Sequence, residues 1–294
     1  MDFRDHRPDL NPKLFQLLAS GIGLRQSARL LAISLRCLEL KFRKLARHLR
    51  RVHLNLQRPL EAGSLLQLDE LETFEGLRTL RPLSVPLLIE KRSRYIVWAE
   101  SAMIPARHKR TRQGRKRGPN RRRDCSRQAC LRTLARGASL SKALDPLVIQ
   151  TDEKKSYPAL IEKAFGAMRR IVHERTKSTR LRDTSNPLFA INQTEAIARD
   201  LSGRLRRDSW LASKKRRYLD LGLAVFYAWR NLVRRRFNTD ELSPAAWLGF
   251  VPRRMSEVEL CAWRADWGKQ SIHPLARGSE SVEEFETLRR LRAG

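Results

Sequence analysis

The sequence predicts an α/β protein: a mixed sheet of three antiparallel strands, then helix, strand, helix, strand and helix, with an all-α unit ahead and a helical C-terminal region behind. Three observations lead there. Apolar residues between positions 11 and 52 recur at helical spacing, and from residue 65 short β-type runs alternate with turns and then with helical stretches. Two of those runs, Leu66-Gln67-Leu68-Asp69-Glu70-Leu71-Glu72 and Leu147-Val148-Ile149-Gln150-Thr151-Asp152-Glu153, carry carboxylates at the end of an apolar stretch.

Charge narrows the function before any motif does. The 294 residues hold 61 Lys plus Arg against 31 Asp plus Glu, a formal net charge of +30. Such an excess draws polyanions and opposes the compact state by self-repulsion, so nucleic acid is the leading partner. No run approaches the roughly 20 apolar residues of a membrane span, so no membrane role is expected. Met1–His6 has no apolar core of a secretory signal. The four cysteines (Cys37, Cys125, Cys130 and Cys261) make no CxxC pair and no zinc-type quartet, which suits a reduced, cytoplasmic setting.

Residues 1–57 read as a helical DNA-binding domain. Asn11-Pro12 is suited to start a helix, with Leu14, Leu17 and Leu18 on one face. Gly21-Ile22-Gly23 ends it, Leu24–Leu31 forms a second helix, and Ser34 can cap a third. In that third helix Leu35, Leu38, Phe42, Leu45, Leu49 and Val52 line one side, while Arg36, Lys41, Arg43, Lys44, Arg47, Arg50 and Arg51 line the other. Two short helices and a longer basic one are the requirement of a helix-turn-helix, with the last in the major groove. Arg25, Arg36, Lys41, Arg43, Lys44 and Arg47 are therefore the expected DNA contacts. A basic helix packing on the neighbouring domain, or on a second copy, is the other reading.

Residues 58–237 read as the α/β domain. Arg58–Gly63 is a linker, followed by strands at Leu65–Thr73, Val85–Glu90 and Tyr95–Ala99. Pro82 and Pro86 fit a strand start or an edge better than a central position. Residues 105–123 form a basic loop whose Arg107, Lys109, Arg110, Arg112, Arg115, Lys116, Arg117, Arg121, Arg122 and Arg123 suit a phosphate backbone. A helix over Arg127–Ala143, a strand at Leu147–Thr151, a helix over Ala159–Phe165 and a strand at Arg170–His173 follow. A long helical region then runs from Ile191 towards Phe237, carrying Arg206, Arg207, Lys214 and Lys215 as further DNA contacts. Residues 238–294 contain three tryptophans and no functional motif.

This order of elements is that of the ribonuclease H-like fold, in which carboxylates from the first strand, the fourth strand and a late helix converge. Acidic clusters of that kind bind a pair of Mg²⁺ or Mn²⁺ ions about 3.5–4 Å apart, one activating the attacking oxygen and one stabilising the leaving oxygen. Asp69 and Asp152 occupy the first-strand and fourth-strand places. Because strand residues alternate, only one of Asp69 and Glu70 can face such a site.

The chain resembles the DDE transposases of small bacterial insertion sequences, close to the insertion-sequence-one type. The resemblance is carried by Leu68–Glu75, Thr151–Pro158, Asn186–Asn192, Arg206–Trp210 with Ser213-Lys214-Lys215, and Gly23–Leu31, and covers roughly residues 10 to 235. It implies an enzyme that binds the ends of its element, cleaves phosphodiester bonds and joins a 3′-hydroxyl to target DNA. It also implies double-stranded DNA as partner and a homo-oligomer, at least a dimer. Two departures stand out. Related transposases often begin with a zinc ribbon, whereas no cysteine precedes Cys37 here. The late-helix match puts Asn192 where Glu is expected, with Glu195 one turn further on, so either residue could supply the third metal ligand beside Asp69 and Asp152. A repurposed, non-catalytic DNA-binding protein and a ribonuclease H-like nuclease without strand transfer remain the alternatives.

Overall fold

Helix α1 (Leu10–Ala19), α2 (Leu24–Leu30) and α3 (Leu35–Leu56) open the chain in the computed structural model, which describes residues 5–76, 78, 80–106, 123–142, 145–166, 170–206 and 211–264. Ser34 caps α3, its hydroxyl accepting from the Cys37 N–H at 3.2 Å. Asn11, read from the sequence as the α1 cap, lies inside that helix and donates instead to Asp5 Oδ2 at 2.6 Å. The turn between α2 and α3 places Ala32 at a φ of 51°, a left-handed conformation that the short connection imposes. The 22-residue α3 buries a broad stripe that includes Leu38, Phe42, Leu45, Leu49 and Val52.

The sheet comprises β1 (Leu65–Phe74), β2 (Pro82–Glu90), β3 (Ile96–Ala99), β4 (Ala102–Met103), β5 (Leu147–Asp152) and β6 (Ile171–Thr176). Its order is β3-β2-β1-β5-β6, with β4 also pairing β2. Strand β2 runs antiparallel to β1, β3 and β4, whereas β1, β5 and β6 are mutually parallel. The protein is thus α/β with a mixed six-stranded sheet. The sequence reading differs at β2, which starts at Pro82 and sits inside the sheet rather than at its edge. Pro86 is accommodated because it falls between the stretch paired with β3 (Leu87–Ile89) and that paired with β4 (Leu83–Ser84), where the outer ladder is interrupted.

Helices cover both faces. Helix α4 (Ser126–Leu140) lies over Leu66 and Leu88, and a Cβ on its Gly137 would stand only 2.6 Å from Leu88 Cδ2, so glycine permits this close approach. Helix α5 (Tyr157–Phe165) packs beside α4. On the opposite face α6 (Phe189–Leu201) meets Gln67 of β1. Helix α7 (Arg216–Ala228) packs along α3 and passes into a π-helical turn, Trp229–Val233. Two short helices, α8 (Pro244–Trp247) and α9 (Glu257–Ala262), close the described chain.

One continuous buried cluster runs from Leu14 of α1 through the sheet to Trp263. His53 near the end of α3 is fully enclosed by Tyr95, Trp98 and Tyr227, with its Nε2 3.2 Å from the Val97 carbonyl. Burial holds its imidazole neutral, at a pKa of about 4. The helices read as a separate N-terminal domain therefore share their core with the sheet. Among the described residues no helix is long and apolar enough to cross a membrane.

Candidate active site at the ends of the parallel strands

Parallel pairing of β1, β5 and β6 ends near Asp69 and the C-terminal ends of β5 and β6, and the registers decide which side chains meet there. Gln67 pairs with Gln150 and Gln150 with Glu174, and the three side chains join in a row across one face. Two residues further along, on the same face, stand Asp69 and Asp152, with Thr176 opposite Asp152. Helix α6 covers this face, and its Asn192 and Glu195 line the same cleft as the two aspartates.

Glu70 faces the other way. Its carboxylate accepts from Ser84 of β2, from the Lys154 ammonium and, at 3.3 Å, from the Tyr157 hydroxyl, with Cys130 Sγ at 3.7 Å. It ties β2, α4, α5 and the segment after β5 together behind the aspartates. The alternation expected from the sequence holds, with Asp69 as the residue on the α6 side.

Asp69 Oδ1 accepts the Glu70 N–H at 2.7 Å and Asp152 Oδ1 accepts the Lys154 N–H at 3.1 Å. No ion pair forms to either carboxylate among the described residues. Burial, reinforced by the charge of Asp152, raises the pKa of Asp69 above the ordinary carboxylate range, while Arg182 partly offsets the rise. Two hard oxygen donors facing each other, held only by backbone amides, form a set that a divalent cation would relieve. Glu195 is 3% exposed, with the Arg199 guanidinium 3.8 Å from its Oε2. Among the described residues no three His, Cys, Asp or Glu side chains converge closely enough to hold a metal as they stand. The aspartates offer two oxygen donors of the kind a divalent cation takes, and Glu195 and Asn192 line the same cleft without closing on them.

The cleft has a volume of about 590 Å³, and its charged lining is mixed: Glu70, Glu72, Asp124 and Glu195 join the two aspartates, with cations set among them. Arg127 comes from the start of α4, Lys154 from the turn after β5, Lys177, Arg180 and Arg182 from the segment between β6 and α6, and Arg199 from α6 itself. The sequence reading missed Arg127, Lys177, Arg180 and Arg182. The run Lys177-Ser178-Thr179-Arg180-Leu181-Arg182 is a basic stretch between two elements, a signal overshadowed by the denser clusters elsewhere.

The expected DNA contacts divide. Arg25, Arg36 and Arg47 are exposed on α2 and α3, as are Arg123, Arg206, Lys214 and Lys215. Arg43 is half-buried and donates to the Glu39 carbonyl. Lys44 is half-buried, 3.6 Å from Asp5. Arg206 also donates to the Arg199 and Asp200 carbonyls at the end of α6. Lys41 must be withdrawn from the DNA-reading face. It is 4% exposed, and its ammonium contacts Asp5 Oδ1 at 3.3 Å, the Arg7 carbonyl at 2.8 Å and Asn11 Oδ1 at 3.2 Å, so it secures the chain ahead of α1. The expectations for Arg107, Lys109, Arg110, Arg112, Arg115, Lys116, Arg117, Arg121, Arg122 and Arg207 lie outside the described residues.

Comparison with protein-family models and with curated proteins gives no match.

Proposed function

We propose that the protein is a DNA transposase with a ribonuclease H-like catalytic domain, which cleaves phosphodiester bonds at element ends and transfers the strand to target DNA. The observation that carries this reading is a pair of aspartates on adjacent parallel strands, inside a cleft that carries Arg127, Lys154, Lys177, Arg180, Arg182 and Arg199 beside further carboxylates. Carboxylates alone would repel a phosphate backbone, and cations alone would bind it without chemistry. Together they suit a metal-dependent reaction on a polyanion.

Asp69 and Asp152 would hold Mg²⁺ or Mn²⁺, with Glu195 or Asn192 completing the donor set. When bound, the metal pair supplies an activated attacking oxygen and neutralises charge on the leaving oxygen. Arg127, Lys177, Arg180 and Arg182 grip the phosphates on either side of the scissile one. Lys154, held by Glu70, presents a cation beside Asp152. The α2–α3 pair, with Arg25, Arg36 and Arg47 outward, suits the major groove of double-stranded DNA. Two element ends must be brought together for strand transfer, which calls for a homo-oligomer, at least a dimer.

One observation favours a second reading. Glu195 lies 3.8 Å from the Arg199 guanidinium, and among the described residues no three acidic, His or Cys side chains converge to hold a metal, as expected of a repurposed protein that binds DNA without cutting it. Incubation with labelled terminal-repeat DNA and Mg²⁺ separates the readings. Cleaved ends and joined products support the transposase, and cleavage without joining supports a nuclease. Tight binding with no cleavage in Mg²⁺ or Mn²⁺ leaves the DNA-binding protein.

A further inference from the structure

We infer that Gln67 is a positioning residue whose carboxamide sets the register of α6 against β1, and so brings Glu195 rather than Asn192 level with Asp69. This rests on the metal-dependent reading above and identifies which late-helix residue completes the site.

Asn186 starts α6 locally, its Oδ1 accepting the Leu188 N–H at 2.9 Å and its carbonyl the Phe189 N–H at 2.8 Å, but the Ile191 N–H is satisfied from β1. The N-cap position of α6 is Leu188, which offers no side-chain hydrogen bond. The first N–H groups of a helix lack partners within it and must be satisfied from elsewhere. Gln67, fully buried on β1, does this from across the interface. Its Oε1 accepts the Ile191 N–H at 3.0 Å, while its Nε2 donates to the Pro187 carbonyl at 2.6 Å and to Gln150 Oε1 at 2.7 Å. Gln150 Nε2 donates in turn to Glu174 Oε2 at 2.6 Å. A carboxylate at the end of the row accepts only, which orients both amides. A reversed Gln67 would set its NH₂ against the Ile191 N–H and its oxygen against the Pro187 carbonyl.

A second tie lies just beyond the far end, where the Thr73 hydroxyl donates to the carbonyl of Arg204, three residues past Leu201, at 2.7 Å. The two ties occur in the same order on both elements, so α6 runs in the direction of β1. Periodicity then decides the ligand. From Gln67 to Asp69 the strand advances about 6.6 Å, at roughly 3.3 Å per residue. From Ile191 to Glu195 the helix advances about 6 Å, at roughly 1.5 Å per residue, and returns to the same face. Asn192 lies only about 1.5 Å beyond the anchor and about 100° around the helix from it. The buried face of α6 agrees, comprising Ala190, Ile191, Thr194, Glu195 and Ala198 but not Asn192.

The test uses the full chain with Mn²⁺ alone as probe. Binding is followed by electron paramagnetic resonance, and hydrogen exchange is followed across residues 188–196. Glu195→Gln should weaken Mn²⁺ binding at least tenfold, and Asn192→Ala less than twofold. Gln67→Leu, which keeps volume but removes both tie points, should raise exchange at the start of α6. It should also weaken Mn²⁺ about tenfold, the lower end for loss of a group that orients a ligand. Gln67→Asn keeps the amide but retracts it, guards against a misfolded Leu variant, and should fall between the two. Unchanged exchange and unchanged Mn²⁺ affinity in both Gln67 variants would overturn the positioning role while leaving the metal site intact. A larger loss from Asn192→Ala than from Glu195→Gln would overturn the ligand assignment. A parent chain that binds no Mn²⁺, yet shows the expected exchange in Gln67→Leu, would overturn the metal reading and uphold the register tie.

Discussion

Lys154 bridges Glu70 and Asp152, its ammonium paired with the Glu70 carboxylate and its backbone N–H donating to Asp152 Oδ1 at 3.1 Å. A residue on the rear face of β1 is thus coupled, through one lysine, to the carboxylate at the end of β5. Glu70→Gln should therefore loosen the site without emptying it. A half-exposed ion pair and its surrounding hydrogen bonds contribute about 1 kcal/mol. We expect a small fall in melting temperature and cleavage reduced several-fold but still measurable. Complete loss of cleavage with an unchanged melting temperature would mean that Glu70 is itself a ligand.

Asp69→Asn and Asp152→Asn should each abolish cleavage of terminal-repeat DNA while leaving DNA affinity intact. The substitution removes a charge that the metal requires and nearly preserves shape. Affinity arises from Lys and Arg on phosphates, and with fewer carboxylates facing the backbone it should not fall. Gel-based cleavage and fluorescence-anisotropy binding, run side by side, check this. Parental cleavage rates in both variants would remove the proposed mechanism.

The raised pKa of Asp69 has a consequence for stability. Burial first, then the neighbouring Asp152 charge, disfavours its ionised form in the fold. The folded chain then binds that proton more tightly than the unfolded chain. Without metal, this contribution is most favourable below the ordinary carboxylate range and declines as pH rises through the raised pKa of Asp69. Thermal melts from acid to neutral pH should show this slope, and Asp69→Asn should flatten it. At neutral pH the variant should be more stable by about 0.5–2 kcal/mol, as when a strained functional residue is relieved. Mg²⁺ should stabilise the parent and have little effect on the variant.

Lys41 and Arg36 should separate stability from recognition. Lys41→Met removes the buried ammonium from Asp5, the Arg7 carbonyl and Asn11 Oδ1 while Lys44 stays 3.6 Å from Asp5, so the loss should be about 1–3 kcal/mol. Calorimetry should register that loss, whereas the preferred DNA sequence should not change. Arg36→Ala, on an exposed position, should leave the melting temperature within about 2 °C and alter preference among terminal sequences. An unchanged preference would mark α3 as a packing helix only.

DNA affinity should fall steeply with salt, with a log–log slope of about −0.9 per neutralised phosphate. Replacing Arg180 and Arg182 with Gln should make that slope shallower by about 2 if both contact the backbone. Binding isotherms at four salt concentrations measure it. An unchanged slope would detach the segment between β6 and α6 from the DNA.

Local patterns in the sequence determined much of the architecture. The spacing of Leu38, Phe42, Leu45, Leu49 and Val52 specified an amphipathic α3, and Ser34 specified its start. The β-type runs around Asp69 and Asp152 marked two strands that carry carboxylates, because strand-forming patterns are short-range properties. What tertiary structure decided were relationships between distant residues. Alternation said that Asp69 and Glu70 point apart, but only the packing of α6 on one face and α4 on the other gave Asp69 the α6 side and Glu70 its partners Ser84, Lys154 and Tyr157. Lys41 read as one more cation on a basic face, yet Asp5, 36 residues away, draws it into the interior. Pro86 read as an edge residue until the interruption between β3 and β4 provided a place for it inside the sheet. Gln67 carried no signal at all, being one polar residue in an apolar run. Its role depends on an N–H 124 residues later that no local cap satisfies, and burial is what makes that unsatisfied group costly.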